Sequence, residues 1–253
     1  MPMYKWMLGL VLGLFGVCAQ AGQPLPDHVR LVSEYWVGYT NRDGSGLAWE
    51  IMREVFGPAG VRVDQRNVPY TRSVGLVQRG EADAWLGSYL GEVRENVIYP
   101  RWPYDADPIV ALGLVGKPVP DLQSLKTYRL AWMRGYGYQK YLPGPLEFQE
   151  IERRSGILGM LERGHADFYI DAFTEASDVL KSGPQPERFR ITSLTRLPLY
   201  VGFADTARGR ALADLFDRRM AELVQSDKLR AIFHRWQQPY PFDEDMERPD
   251  ASP

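Results

Sequence analysis

The chain has 253 residues, 45% of them hydrophobic and 25% charged, with 30 basic against 32 acidic side chains and a formal net charge of −2. That balance, without a basic tract, excludes a general attraction to nucleic acid, while the length and apolar content suffice for one large domain or two lobes. The single cysteine, Cys18, falls in the N-terminal segment, so disulfides and thiol chemistry are excluded from the rest of the chain.

Lys5 precedes an apolar run over residues 6–17, and Ala19-Gln20-Ala21 supplies a small-x-small cleavage site. Residues 1–21 therefore read as a cleavable signal peptide and the mature chain as an exported, periplasmic protein starting at Gly22. Residues 28–39 open with the alternating stretch Val29-Arg30-Leu31-Val32-Ser33, a first strand. Gly44-Ser45-Gly46 then precedes Leu47, Ile51, Met52, Val55 and Phe56, the apolar face of a helix closed by Gly57-Pro58. Residues 61–68 alternate as a second strand.

The next segment occurs twice. Residues 74–89 contain Arg79-Gly80-Glu81-Ala82-Asp83 and residues 158–173 contain Arg163-Gly164-His165-Ala166-Asp167, each between a helix end and an apolar strand. Gly accepts the left-handed backbone that ends a helix, and Asp favours the turn. Two such units about eighty residues apart predict an α/β protein with two similar lobes. Ligands bind beyond the carboxyl ends of strands in open α/β sheets, so Ser88-Tyr89 and Asp171 are expected to face each other across a cleft.

Between the two copies, residues 103–108 read as a Pro- and Asp-rich break and residues 109–115 as a strand. A short helical turn at residues 122–125, a strand at 128–133 and a Gly135-Tyr136-Gly137-Tyr138 turn into a helix follow. After the second copy come a strand at 189–193, a return strand at 197–203, and helices at 207–224 and 226–236 started by Asp205-Thr206 and Ser226-Asp227. Residues 237–253, rich in Pro and acids, form a loose tail.

This order resembles the amino-acid-binding family (family 3) of bacterial periplasmic solute-binding proteins, over about residues 29–236. The resemblance is carried by Gly46-Leu47-Ala48-Trp49-Glu50, by Pro69-Tyr70-Thr71-Arg72 before Gly80-Glu81-Ala82-Asp83, and by Glu92-Val93-Arg94. Pro103-Tyr104, the Gly135 turn, Gly164-His165-Ala166-Asp167 and a last helix ending at Trp236 continue it. It implies a two-lobed type II periplasmic-binding-protein fold with two crossovers, near residues 111–113 and 196–199. Lobe 1 would comprise residues 22–111 and 198–236, and lobe 2 residues 112–197. It further implies a monomer that takes an amino acid or similar small carboxylate into the cleft and presents the closed form to the permease of an ABC importer.

The same resemblance assigns roles. Arg94 would clamp the ligand's carboxylate through its planar guanidinium, with Ser88 adding a hydroxyl contact. Arg72 would recognise an acidic group at the cleft edge, and Asp171 would receive the ligand ammonium. Gly135 and Tyr136 would mark a turn whose N–H groups donate to a ligand carboxylate. Tyr35, Trp36, Tyr39, Tyr70, Tyr89 and Tyr138 form an aromatic rim suited to a flat ligand or a cation. The chain departs from the family pattern at Tyr89-Leu90-Gly91, at Tyr136, and in the short Asp167-to-Asp171 interval.

No metal-ligand spacing occurs among the three histidines, and no cofactor is implied. Two other functions fit the same fold. One is a cyclohexadienyl-dehydratase-like enzyme, with Asp171 or Glu175 as general acid; the other is a stand-alone sensor serving a signalling receptor.

Overall fold

The computed structural model describes residues 25–243, so the signal peptide expected at residues 1–21 lies outside the described residues. The chain begins β1 (His28–Ser33), α1 (Leu47–Phe56), β2 (Arg62–Asn67), α2 (Tyr70–Gln78) and β3 (Ala84–Tyr89). α1 buries Leu47, Ile51, Met52, Val55 and Phe56, the positions its helical periodicity selects. A short β4 (Val97–Ile98) precedes β5 (Asp105–Leu114), β6 (Arg129–Met133) and β7 (Glu147–Ile151). The chain continues with α3 (Ile157–Glu162), β8 (Phe168–Ala172), α4 (Phe173–Lys181), β9 (Phe189–Ala204), α5 (Ala207–Gln225) and α6 (Lys228–Arg235).

The strands form one sheet in the order β2-β1-β3-β9-β5-β8-β6-β7, with β4 beside β9. β1 lies parallel between β2 and β3, and β6 lies parallel between β7 and β8. Each half is thus a small parallel sheet, and the antiparallel β5 and β9 run through both halves. β9 pairs with β3 through Leu199–Phe203, whereas β5 pairs with β8 through Ile109–Gly113. This is the two-lobed type II arrangement, its lobes joined by two crossover strands. One core packs α1, α5 and α6 on the first half around Trp49, Phe56, Phe203, Phe216 and Phe233. A second gathers Val110, Leu112, Ile157, Leu161 and Tyr169 under α3 and α4.

Several expectations are corrected. The predicted break at residues 103–108 is strand from Asp105 onward: Pro108 lies in β5 opposite Arg196, and pairing with β8 starts only at Ile109. The missing N–H of Pro108 therefore leaves no gap in a second ladder. The strands expected at 189–193 and 197–203 are one 16-residue strand. Their apparent interruption is a bulge, since Ile109 opposes Thr195 and Val110 opposes Ser193, leaving Leu194 unpaired in the ladder. The helix expected after Gly137 is a 3-10 turn of three residues, and β7, exposed over four of its five residues, was not foreseen. Thr206 caps α5 as expected, its Oγ1 accepting from the Gly209 amide at 3.0 Å. Asp227 instead adopts φ 57° before α6 and makes no side-chain cap. The described start of the tail is packed: Tyr240 and Phe242 lie against Phe233, and Asp243 pairs with Arg230.

The twin aspartates do more than favour a turn. Asp83 accepts the Arg30 backbone N–H of β1 at 2.8 Å and pairs with the Arg30 and Arg208 guanidinium groups. Asp167 accepts the Arg129 N–H of β6 at 2.9 Å and pairs with Lys117 and Arg129. Each carboxylate ties its own strand to the neighbouring parallel strand of the same half. Although partial burial opposes it, hydrogen bonding from Lys117 and Arg129 holds the Asp167 carboxyl down at about 2. A depressed pKa contributes stability above pH 4 that is lost as pH falls toward 2, and solvent screening of the half-exposed partners limits this to about 1–2 kcal/mol. Asp167→Asn should lose that increment at neutral pH and show a flatter stability profile between pH 4 and 2, measured by urea unfolding.

Candidate ligand-binding site

The strand ends of both halves meet at a cleft of about 590 Å³, counted out to the solvent at its mouth. The segment after β1 contributes Glu34, Tyr35 and Trp36, β3 contributes Leu86, Gly87 and Tyr89, and the following turn contributes Glu92. β5 supplies Asp107, β8 supplies Asp171, and the head of α4 supplies Glu175. Tyr136 and Tyr138 come from the turn after β6, and Arg154 from the segment before α3. Bonds already span the cleft: Trp36 Nε1 donates to Thr174 Oγ1 at 3.3 Å, Lys140 Nζ donates to the Glu92 carbonyl at 3.2 Å, and the Tyr89 and Tyr138 hydroxyls lie 3.5 Å apart.

Asp171 is fully buried at the end of β8. Its Oδ2 accepts from Arg154 Nε at 3.1 Å and from the Tyr169 hydroxyl, and its Oδ1 accepts the Ala172 N–H at 2.9 Å. Burial raises its pKa, while Arg154 and Tyr169 pull it down. Arg154 also donates to the Tyr136 hydroxyl at 2.7 Å and lies 5.7 Å from that ring's centroid. Glu92 receives Tyr70 Oη at 2.7 Å, Ser88 Oγ at 2.9 Å and the Tyr89 N–H at 3.2 Å, all on Oε2. Its pKa is raised by burial, against those bonds. Asp107 accepts from the Tyr89 hydroxyl at 3.0 Å; burial and the charge of Asp105 raise its pKa. Burial and the charge of Asp171 raise the pKa of Glu175, and burial raises that of Glu34.

The structure brings Asp171, Tyr35, Tyr89 and Tyr136 to the cleft together with the rim residues Trp36, Tyr70 and Tyr138. Five other expected contacts are placed elsewhere. Arg94 is exposed in the turn after β3 and does not line the cleft; the turn swings Glu92 inward instead. Ser88 is buried behind that wall, bonded to Glu92 and to Tyr99 Oη at 3.0 Å. Arg72 is exposed on α2, about 200° around the helix from Tyr70. Gly135 is exposed at φ 88°, and its N–H points to Glu150 Oε1 at 3.4 Å rather than to the cleft. Tyr39 is buried in the core, stacked on Trp36 at 4.3 Å.

Glu34, Glu92, Asp107 and Arg154 escaped sequence reasoning as site residues. Glu92 lay in view beside Arg94, and Asp107 stood in the run taken for a break. Arg154 had only its position shortly before the second repeated unit to mark it. Among the described residues no set of three His, Cys, Asp or Glu side chains is poised to hold a metal ion, and no helix is long and apolar enough to cross a membrane.

Parallel half-sheets joined by two crossover strands, with a cleft at the strand ends, define the class of two-lobed type II periplasmic-binding-protein folds. No protein-family model and no curated protein matches the sequence. Among solved structures the chain is similar to the arginine-, lysine-, histidine-binding protein ArtJ from the thermophilic bacterium Geobacillus stearothermophilus. The two share 16% identity and a TM-score of 0.64 over 85% of this chain and 97% of that one. It is similar to the substrate binding protein of an amino acid ABC transporter at 17% identity and a TM-score of 0.62, over 83% and 98% of the two chains. It is likewise similar to an ancestral amino-acid-binding protein, a precursor of cyclohexadienyl dehydratase, at 14% identity and a TM-score of 0.61, over 83% and 95%. At these identities the likeness is one of fold, and the resemblance read from the sequence holds at that level.

Proposed function

We propose that the protein is an extracytoplasmic solute-binding receptor that captures an amino acid or related small amine between its lobes and delivers it to the permease of an ABC importer. The observation that carries this reading is the convergence of Glu34, Glu92, Asp107, Asp171 and Glu175 with Tyr35, Trp36, Tyr70, Tyr89, Tyr136 and Tyr138 on one cleft between the halves. Carboxylates and aromatic faces are the groups that recognise an ammonium or guanidinium head. The amino-acid ligands named for the similar structures support the same class. Hinge motion about β5 and β9 would make and break the Trp36–Thr174 and Lys140–Glu92 contacts, so that capture changes the surface a membrane partner meets.

A thermal-shift screen of amino acids, amines, organic acids and sugars tests the reading. A ligand at a hundred times its Kd should stabilise the protein by about 2.7 kcal/mol, a rise of roughly 5–10 °C in Tm for a chain of this size. Stabilisation by sugars alone would contradict it. A second reading, general-acid catalysis, is favoured by Glu175, whose carboxyl stays protonated to unusually high pH in the cleft wall. Incubation with prephenate decides that reading, since the enzyme would release phenylpyruvate and a receptor would not.

A further inference from the structure

The cleft is chemically lopsided. Five carboxylates line it, and Arg154 is the single basic side chain among the described lining residues. Arg154 is already engaged, by Asp171 at 3.1 Å and the Tyr136 hydroxyl at 2.7 Å. A ligand carboxylate entering here would face Glu34, Asp107 and Glu175 without the clamp expected from Arg94. A cation would meet the reverse situation, because the carboxylates have acceptor capacity left over. Among the described residues no donor reaches Oε1 of Glu92, Oδ1 of Asp107 or Oε1 of Glu175, and no donor reaches the Glu34 carboxylate. Asp107 is only 6% exposed and lines the cleft, so a donor entering there meets little competition from solvent.

These acids fall into two groups. Glu92 is fixed by Tyr70, Ser88 and the Tyr89 amide, all from the first half. Asp171, held by Arg154 of the second half, raises the pKa of Glu34, Asp107 and Glu175 through its charge. Between the groups run aromatic rings, Tyr70 to Tyr136 at 6.1 Å and Tyr136 to Tyr138 at 5.9 Å between centroids. Such rings offer apolar area to an aliphatic chain and negative faces to a cation.

We propose that the cleft takes an organic dication lacking a carboxylate, with one cationic head at Glu92, the other among Glu34, Asp107 and Glu175, and an aliphatic linker along Tyr70 and Tyr136. This rests on the solute-receptor reading and narrows its ligand class. Agmatine and arginine differ only by the α-carboxylate, and butylamine supplies a single head, so the three together test the idea. In isothermal titration at pH 7.5, agmatine and 1,4-diaminobutane should bind at least tenfold more tightly than arginine, butylamine or glutamate. Glu92→Gln keeps the oxygen that accepts from Tyr70 and Ser88 but removes one charge. It should erase the preference for agmatine over butylamine, with agmatine losing at least tenfold in affinity. Circular dichroism and thermal midpoint check that the variant folds, and the wild-type ranking of agmatine against arginine stands without it. Tighter binding of arginine or glutamate than of agmatine overturns the dication assignment and leaves the receptor reading intact, as does an unchanged agmatine-to-butylamine ratio in the variant. Absence of binding by every amine, amino acid and organic acid overturns both.

Discussion

Asp171→Ala should abolish ligand binding and destabilise the ligand-free protein by about 3–5 kcal/mol, the usual cost of leaving one member of a buried ion pair uncompensated. The carboxylate is fully buried and accepts from Arg154, Tyr169 and the Ala172 amide. Its removal leaves Arg154 facing an apolar methyl and the buried Tyr169 hydroxyl without its acceptor. Arg154 then becomes free to swing toward the remaining acids and neutralise the cleft, which removes the attraction for a cation. Asp171→Asn keeps acceptor oxygen but not charge and should fall between, near 1–3 kcal/mol. Urea unfolding gives the first quantity and calorimetric titration the second. An alanine variant within 1 kcal/mol of the wild type would show that the Arg154–Asp171 pair does not hold the second half's strand end.

The second large effect concerns pH. Burial and the charge of Asp171 hold the Glu175 carboxyl up at about 8, although Thr174 donates to it and Arg154 lies near. Because this folded-state value exceeds that of the unfolded chain, the associated stability is fully present below pH 4.5 and is lost as pH rises through 8. Asp105, raised by burial to about 7, acts in the same direction. The ligand-free protein should therefore be most stable near pH 5 and lose on the order of 3 kcal/mol toward pH 8, with Glu175→Gln removing the larger part of that slope. Cation binding should reverse it: a bound ammonium ionises the carboxyl, so affinity should rise roughly tenfold per pH unit between 6 and 8 for each proton released. Tm profiles with and without ligand check both signs. A pH-independent affinity would mean that neither Glu175 nor Asp107 meets the ligand.

Much of the architecture was legible because local chemistry and tertiary fold agree. The face of α1 and the Gly57-Pro58 stop follow from helical spacing, and the two Arg-Gly-x-Ala-Asp units mark corresponding helix-to-strand turns in the two halves. The failures are equally physical. Pro108 looked like a breaker, because nothing local announces that β8 pairs with β5 only beyond it. The interruption near Leu194 looked like a strand end, because a bulge is defined only by the partner strand. β7 went unseen since its side chains are mostly exposed, and it is held by the ladder to β6 rather than by a buried apolar face.

The site shows the same division more sharply. Sequence alone marked the aromatic residues and one carboxylate near the strand ends, Tyr35, Tyr70, Tyr89, Tyr136 and Asp171, but not the other acids that join them. Tertiary structure decided which of two neighbouring side chains faces the cleft. In the turn after β3 it is Glu92 and not Arg94, on α2 Tyr70 and not Arg72, and on β3 Tyr89 and not Ser88. A shift of one or two residues changes which side chain a turn, helix or strand presents, and between Glu92 and Arg94 it reverses the charge the ligand meets. Only long-range packing, which brings Arg154 from the approach to α3 onto Asp171, sets the cleft's balance of charge, and no local pattern encodes that meeting.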